Sequence, residues 1–280
     1  MVITQNIDNV LKTALQNNTH NSYGNQILYD MCQKGSMLHE DELADEIWLI
    51  GRSYAASPER RFSKKEKNNT FKRGTGTGDY FRFVAEYLVA CSEYQNLCSK
   101  IKLLYGYDFN GQKQDLDNLC FSIQCVSQLN ELIKTASRKY DEKHNAQIAL
   151  SANTIYKNQI SFCSKFLHFQ APDTIFIIDH YTYDGGGTLF STQCRRSLQL
   201  YNTAITPLIR SIFDKKQKDI FSPYPLFGIT KHNMEGYIQH CQRSYTMGCV
   251  LKAIEQYYAI SKASVVTYPR LTDIIFQNVL

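Results

Sequence analysis

Proline is scarce in this chain, with 6 in 280 residues, so few breaks are forced on the backbone and long elements are expected. No run of about 18 apolar residues occurs, which argues against a membrane-spanning helix. The opening stretch MVITQNIDNVLKTALQNN has no basic patch followed by an apolar block, and no signal peptide is expected. The 9 cysteines include no C-x-x-C pair. Their odd count and loose spacing suit buried, reduced thiols in a cytoplasmic protein better than a disulfide framework or a zinc site. G-x-S-x-G, H-E-x-x-H and H-x-E are also missing. Serine or metal hydrolysis therefore lacks an anchor, and neither a metal nor another cofactor is expected. GTGTGD at 74–79 is glycine-rich, but no apolar strand leads into it and no Lys-Ser/Thr follows. That context fails a nucleotide-binding loop. The stretch can still touch a phosphate backbone through its N–H groups.

Apolar residues make up 43% of the chain, with 19 Tyr and 15 Phe, enough for a core in one or two domains. The net charge of +5 is modest, but its distribution is uneven. Residues 40–50 (EDELADEIWLI) carry five acids and no base. Residues 51–73 carry eight bases and two acids, a local surplus larger than that of the whole chain. A second basic cluster runs from Arg195 to Lys218. Such clusters suit a polyanion, because each neutralised phosphate releases counterions. They also suit a solvated loop and helix face.

Apolar periodicity gives mostly helices. One or two short ones are expected in 6–33. An amphipathic helix is expected from Glu40 to Ala56, with Leu43, Ile47, Ile50 and Tyr54 on one face. Ser57-Pro58-Glu59 reads as a stop and a restart, and 63–79 as a polar, mobile loop. Tyr80–Leu104 reads as one helix with Phe83, Tyr87, Ala90 and Tyr94 aligned. Leu116–Tyr140 has the clearest repeat, through Leu119, Ile123, Val126, Leu129 and Ile133. Further helices are expected over Ile155–Phe169, Leu189–Lys215, Asn233–Ile260 and Leu271–Val279. Thr174–Ile178 reads as a short strand or buried extended segment, and Gly185–Gly187 as a turn. The fold class is mostly α, packed helices with little β structure. A break near 105–115 suggests an N-terminal helical subdomain over 1–110 with the basic loop, and a C-terminal helical subdomain over 111–280.

Chemistry concentrates in SFCSKFLHFQAPDTIFIID, residues 161–179. A helical phrase carries Lys165, Ala171-Pro172 ends it, and an apolar run ends on Asp179. Each residue has an ordinary reading. Lys165 would be a solvated lysine on an amphipathic helix, Asp179 a helix cap ahead of HYTY, and His168 and His180 satisfied histidines. Together, an amine and a carboxylate delivered on either side of a tight turn could face one cleft.

The order helix–lysine, turn, apolar segment, aspartate at a helix start resembles the core of the helix-hairpin-helix DNA glycosylases, including the 8-oxoguanine type. Residues 161–179 are also similar to the phrase S-F-x-S/T-K-[FY]-x-H-x-x-x-P-x-x-[FY]-x-I-x-D of some bacterial proteins. The likeness is strong over roughly 20 residues and loose over about 120. It implies an all-α glycosylase-like fold that binds DNA and excises a flipped base, with defence against phages carrying modified DNA as one setting. On that resemblance Asp179 is the catalytic carboxylate that stabilises the cationic sugar, and Lys165 is the amine that attacks C1′ in a lyase. The residues ahead of Lys165, NTIYKNQISFC, contain no hairpin glycine. Lys157, 22 residues before Asp179, is therefore the alternative lysine. Tyr54, Tyr181, Tyr183 and His168 are candidates to receive the base. Arg60, Arg61, Lys64, Lys65 and Arg73 would hold the DNA backbone. The alternative is a helical nucleic-acid-binding or regulatory module without catalysis, in which Asp179 is a cap.

Overall fold

The structure is a computed structural model. It describes residues 22–32, 36–54, 56–59, 78–105, 107, 113–144, 156–178 and 267–277, and parts of 240–255. The protein is mostly α: helices dominate the described residues and no strand occurs among them. None of the helices described is long and apolar enough to cross a membrane. In chain order they are α1 (Ser22–Cys32), a 3-10 turn (Ser36–Leu38), α2 (Glu40–Ser53), α3 (Gly78–Ala90), α4 (Ser92–Lys102), α5 (Lys113–His144), α6 (Ile160–Gln170) and α7 (Tyr268–Gln277). The chain forms two compact units. One comprises Ile27–Tyr105 and Gln124–Ala171, the other Met1–Gln26, Gly106–Ile123 and Pro172–Leu280.

In the first of these units α2 packs on α3, on α6 and on the 3-10 turn, and α3 packs on α4. Glu40, Asp41 and Glu42 occupy the first turn of α2 and Arg52 its last, charges that complement the helix dipole at both ends. The helix buries Leu43, Ile47 and Ile50 as the periodicity predicts, and Glu46 with them. It stops at Ser53, short of Ala56, because the chain folds back. A Cβ on Gly51 would come within 3.0 Å of the Ser57 Cα, so only glycine leaves room for the returning segment. Arg52 pairs with Glu59 at 2.9 Å across this bend. Tyr80, on α3, secures it further, donating to the Pro58 carbonyl at 3.1 Å and lying 2.8 Å from the Ser137 hydroxyl on α5.

The single helix expected over Tyr80–Leu104 is two helices. Cys91 takes an extended conformation (φ −90°, ψ 122°) and caps α4. Its carbonyl accepts from the Tyr94 and Gln95 amides at 3.1 Å. The break shifts the apolar register. Phe81, Val84, Ala85 and Leu88 are the buried face of α3, and Tyr94, Leu97, Cys98 and Ile101 that of α4. Phe83 and Tyr87 are only half-buried and Ala90 is exposed, because all three lie within α3 on the flank of the face that Phe81, Val84, Ala85 and Leu88 bury; of the predicted stripe only Tyr94, beyond the break, is fully buried. α5 keeps its predicted face, with Leu119, Ile123, Val126, Leu129 and Ile133 all buried.

α6 begins at Ile160, not Ile155. The residues ahead of it are captured by α5. The Tyr156 hydroxyl donates to Asp141 at 3.0 Å, the Asn130 side-chain carbonyl accepts from the Gln159 amide at 2.7 Å, and the Asn130 amide donates to Asn158 at 3.1 Å. Asn130 thereby satisfies a backbone donor that a starting helix leaves without an internal partner. Every residue from Phe162 to Gln170 is buried, so α6 has no solvent face.

In the other unit, Thr174 ends a turn and Ile175–Ile177 form a buried segment without regular structure. The His240 ring N–H donates to the Ile177 carbonyl at 2.7 Å. α7 starts at Tyr268 rather than Leu271. The Thr267 hydroxyl accepts from the Arg270 amide at 3.3 Å, an N-cap bond, and Pro269 sits in the first turn. Arg270 and Asp273 form a buried ion pair one turn apart. The described residues between His240 and Glu255 are helical, in keeping with the helix expected over Asn233–Ile260. The helix expected over Leu189–Lys215 and the turn at Gly185–Gly187 lie outside the described residues, as does the loop expected over 63–79 up to residue 77; its last two residues, Gly78 and Asp79, already belong to α3.

Candidate active site

Lys165, His168 and Phe169 sit three and four residues apart on α6 and so share a face. Lys165 is 3% exposed. Its Nζ donates to the Tyr54 carbonyl at 3.4 Å and lies 5.5 Å from the centre of the Tyr54 ring. The local structure explains both contacts. Tyr54 is the C-cap of α2, and the last carbonyls of a helix have no partner within it. They also form the negative end of the helix dipole, where a cation is favoured. The ring adds the attraction of its π face for an ammonium, worth about 0.5–2 kcal/mol.

An aromatic cluster continues from this contact. The Tyr54 ring is 5.5 Å from Phe169, and Phe169 is 5.1 Å from Tyr29 on α1. The Tyr29 hydroxyl and His168 Nε2 are 2.9 Å apart, and His168 is fully buried. The cluster therefore combines one amine with the faces and edges of four rings.

A second polar group links the same two helices. Gln170, two residues beyond His168, donates through Nε2 to Glu46 at 3.0 Å and accepts from the Tyr105 hydroxyl at 3.3 Å. Glu46 and Gln170 are both fully buried. Burial pushes the Glu46 carboxyl up to about 8, with the nearby Glu42 adding to the rise and the bond from Gln170 opposing it. Burial likewise raises the Cys32 thiol on α1, with Glu46 adding to it.

Of the residues singled out in the sequence, Lys165 and Tyr54 are brought into contact, and His168 joins them through Phe169 and Tyr29. Lys157 is exposed, in the irregular segment ahead of α6. Asp179, Tyr181, Tyr183, Arg60, Arg61, Lys64, Lys65 and Arg73 lie outside the described residues. Sequence reasoning missed Tyr29, Phe169, Gln170 and Glu46. Glu46 had a signal: it is three residues after Leu43 and four before Ile50, on the apolar stripe of α2 and not on its acidic face. Among the described residues no three His, Cys, Asp or Glu side chains gather as metal ligands would. In comparison with known proteins, the chain matches no family model, no curated protein and no solved structure.

Proposed function

We propose that this protein is a DNA N-glycosylase that excises a flipped, modified base, with phage defence as one setting for such an activity. The observation that carries the reading is the buried Lys165 amine, held against the face of Tyr54 in a mostly α protein. A nucleophilic amine needs a protected, water-poor setting, and an aromatic face next to it suits an extruded base. Flipping a base out of the stack costs a few kcal/mol, least for a damaged or modified one.

The chemistry follows from these groups. Lys165 releases the Tyr54 carbonyl, and its nitrogen lone pair forms a bond to the sugar C1′ as the glycosidic bond breaks. The bonding pair leaves with the base, which takes up the proton shed by the amine. The nitrogen then expels the ring oxygen from C1′, giving a Schiff base, and that oxygen gains a proton. Asp179 supplies negative charge to offset the cationic sugar as it forms. In the monofunctional version water attacks C1′ and Lys165 serves as a cation only.

The experiment is incubation with duplex and single-stranded DNA carrying plain or modified bases, then alkali and a sequencing gel. Breaks at one nucleotide type, dependent on the protein, support base excision. Salt-sensitive binding without breaks on any substrate overturns it. That outcome favours the second reading, a non-catalytic nucleic-acid-binding module. The bond to the Tyr54 carbonyl supports that alternative too, since it gives Lys165 a purely structural use, satisfying the C-cap carbonyl of α2.

A further inference from the structure

Within the first unit, α3 and α5 meet along a seam of aromatic rings that opens to solvent among lysines. The buried Tyr80 and the half-buried Phe83, both on α3, lie 5.1 Å and 5.4 Å ring to ring from Tyr140 on α5. His144, one turn further along α5, is exposed and stacks on Tyr140 at 4.6 Å with the ring planes 28° apart. The Lys143 amine is 5.6 Å from the centre of the Phe83 ring. Lys139, one turn earlier, is exposed, and its charge reaches the half-buried Tyr87, where it opposes the rise that burial, Cys91 and Glu93 give the hydroxyl. We propose that this seam is a binding track for single-stranded nucleic acid, with bases on the rings and phosphates on Lys139 and Lys143. The track rests on the reading that the protein binds nucleic acid, and it needs no base excision.

The combination of groups selects the ligand. Lys139 pairs with Glu142 at 2.9 Å, but both side chains are exposed and such a pair is worth little. Among the described residues no carboxylate pairs with Lys143; its amine is set over a ring instead. The dipole of α5 favours cations in its last turn, which accounts for basic residues at 143 and 144 but not for the rings beside them. An acidic protein surface uses the ammonium groups and leaves the rings idle. A duplex does the same, because its base faces are covered by their neighbours. Unpaired bases stack on aromatic side chains while their phosphates meet the cations. Lys139 and Lys143 are four residues apart, about 6 Å along the helix, a step comparable with that between successive phosphates of an extended strand. The rings are in place before a ligand arrives: Tyr140 packs on Tyr80, and Tyr80 is tied to Pro58 and Ser137. A platform built in advance loses less entropy on binding.

The experiment is fluorescence anisotropy of a labelled, mixed-sequence DNA strand with the intact protein, at several salt concentrations in mildly alkaline buffer. Unlabelled strand, the duplex of the same sequence and polyglutamate are the competitors. The labelled strand is expected to bind, and unlabelled strand to displace it better than duplex or polyglutamate does. Lys139→Ala combined with Lys143→Ala is expected to weaken binding about tenfold and to flatten the slope of log K against log salt by about 1.4, the loss of two phosphate contacts. His144→Ala is expected to weaken binding at least about fivefold with the slope unchanged, because a stack releases no counterion. Lys102→Ala, which removes an exposed cation on α4, is expected to change neither. Absence of binding at low salt, better competition by duplex or polyglutamate, unchanged affinity in either seam variant, or an equal loss in Lys102→Ala overturns the track. Alkali-labile breaks on a substrate that the seam variants bind as tightly as the wild type overturn the track and keep base excision. The expected binding pattern with no breaks keeps the track and removes base excision. Should a seam variant lose its helical circular dichroism, photocrosslinking of a bromouracil-containing strand to the wild type decides: adducts on Phe83, Tyr140 or His144 support the track, and adducts only elsewhere overturn it.

Discussion

The Lys165 amine and the Tyr54 carbonyl lie 111 residues apart in the chain and 3.4 Å apart in space. One long-range contact thus caps a helix, buries a cation and presents that cation to a ring.

Tyr54→Ala is expected to lower stability by about 2 kcal/mol, the loss of a half-buried ring packed on Phe169 together with its cation contact. The carbonyl that accepts from Lys165 remains. Urea denaturation followed by circular dichroism measures the loss; an unchanged midpoint would mean the ring contributes nothing to holding α6.

Asn130 makes a sharper case. Its Oδ1 takes the Gln159 amide and its Nδ2 reaches Asn158. Asn130→Leu leaves a buried N–H without an acceptor and is expected to cost about 1–3 kcal/mol. Asn130→Asp keeps the acceptor and places a negative charge at the start of α6, where the dipole favours it, so its loss is expected to be smaller. The two unfolding midpoints, compared at one pH, test the order.

The stability of the protein should also track the Glu46 proton. The folded value of about 8 is above the ordinary 4.5, so the unfolded chain gives up this proton first. The contribution of neutral Glu46 is complete below about pH 4.5, declines as pH rises, and is lost above about 8. Urea midpoints between pH 5 and 8.5 are expected to fall in the wild type more steeply than in Glu46→Gln. Stopping at pH 8.5 stays below the ordinary values of 9.0 for Cys98 and 10.0 for Tyr105, where the unfolded chain begins to lose those protons, and any remaining slope from them is common to the wild type and Glu46→Gln.

On the base-excision reading, Asp179→Asn is expected to retain DNA affinity and lose base release. Borohydride trapping then separates the two uses of Lys165: a trapped adduct that disappears in Lys165→Ala marks it as the nucleophile, and one that survives moves the role to Lys157. Wild-type rates of abasic-site formation in Asp179→Asn would remove the carboxylate from the mechanism.

Fold class was legible because burial repeats at helical spacing. The stripe of α5 runs unbroken from Leu119 to Ile133 and could be read directly. Where tertiary bonds override local preference, the reading failed. Nothing in SFCSKF or the residues before it announces that Asn130, 29 residues earlier than Gln159, delays the start of α6. The extended backbone at Cys91 leaves no proline or glycine as a marker. Lys165 was identified by its place in a phrase, and its burial was expected only on the base-excision reading; its partner was not foreseen, because the donor-hungry end of α2 is visible only once α2 and α6 are packed. Glu46 was hidden inside an acidic run whose other members face water.

A helix enclosed on all sides also constrains the order of assembly. The unit built on α6 draws on Ile27–Tyr105 and then on Gln124–Ala171, and α6 is the last of its helices to be synthesised. Until residue 170 emerges from the ribosome, α2 has no α6 to pack against. The core of this unit can therefore close only after its final helix has been made.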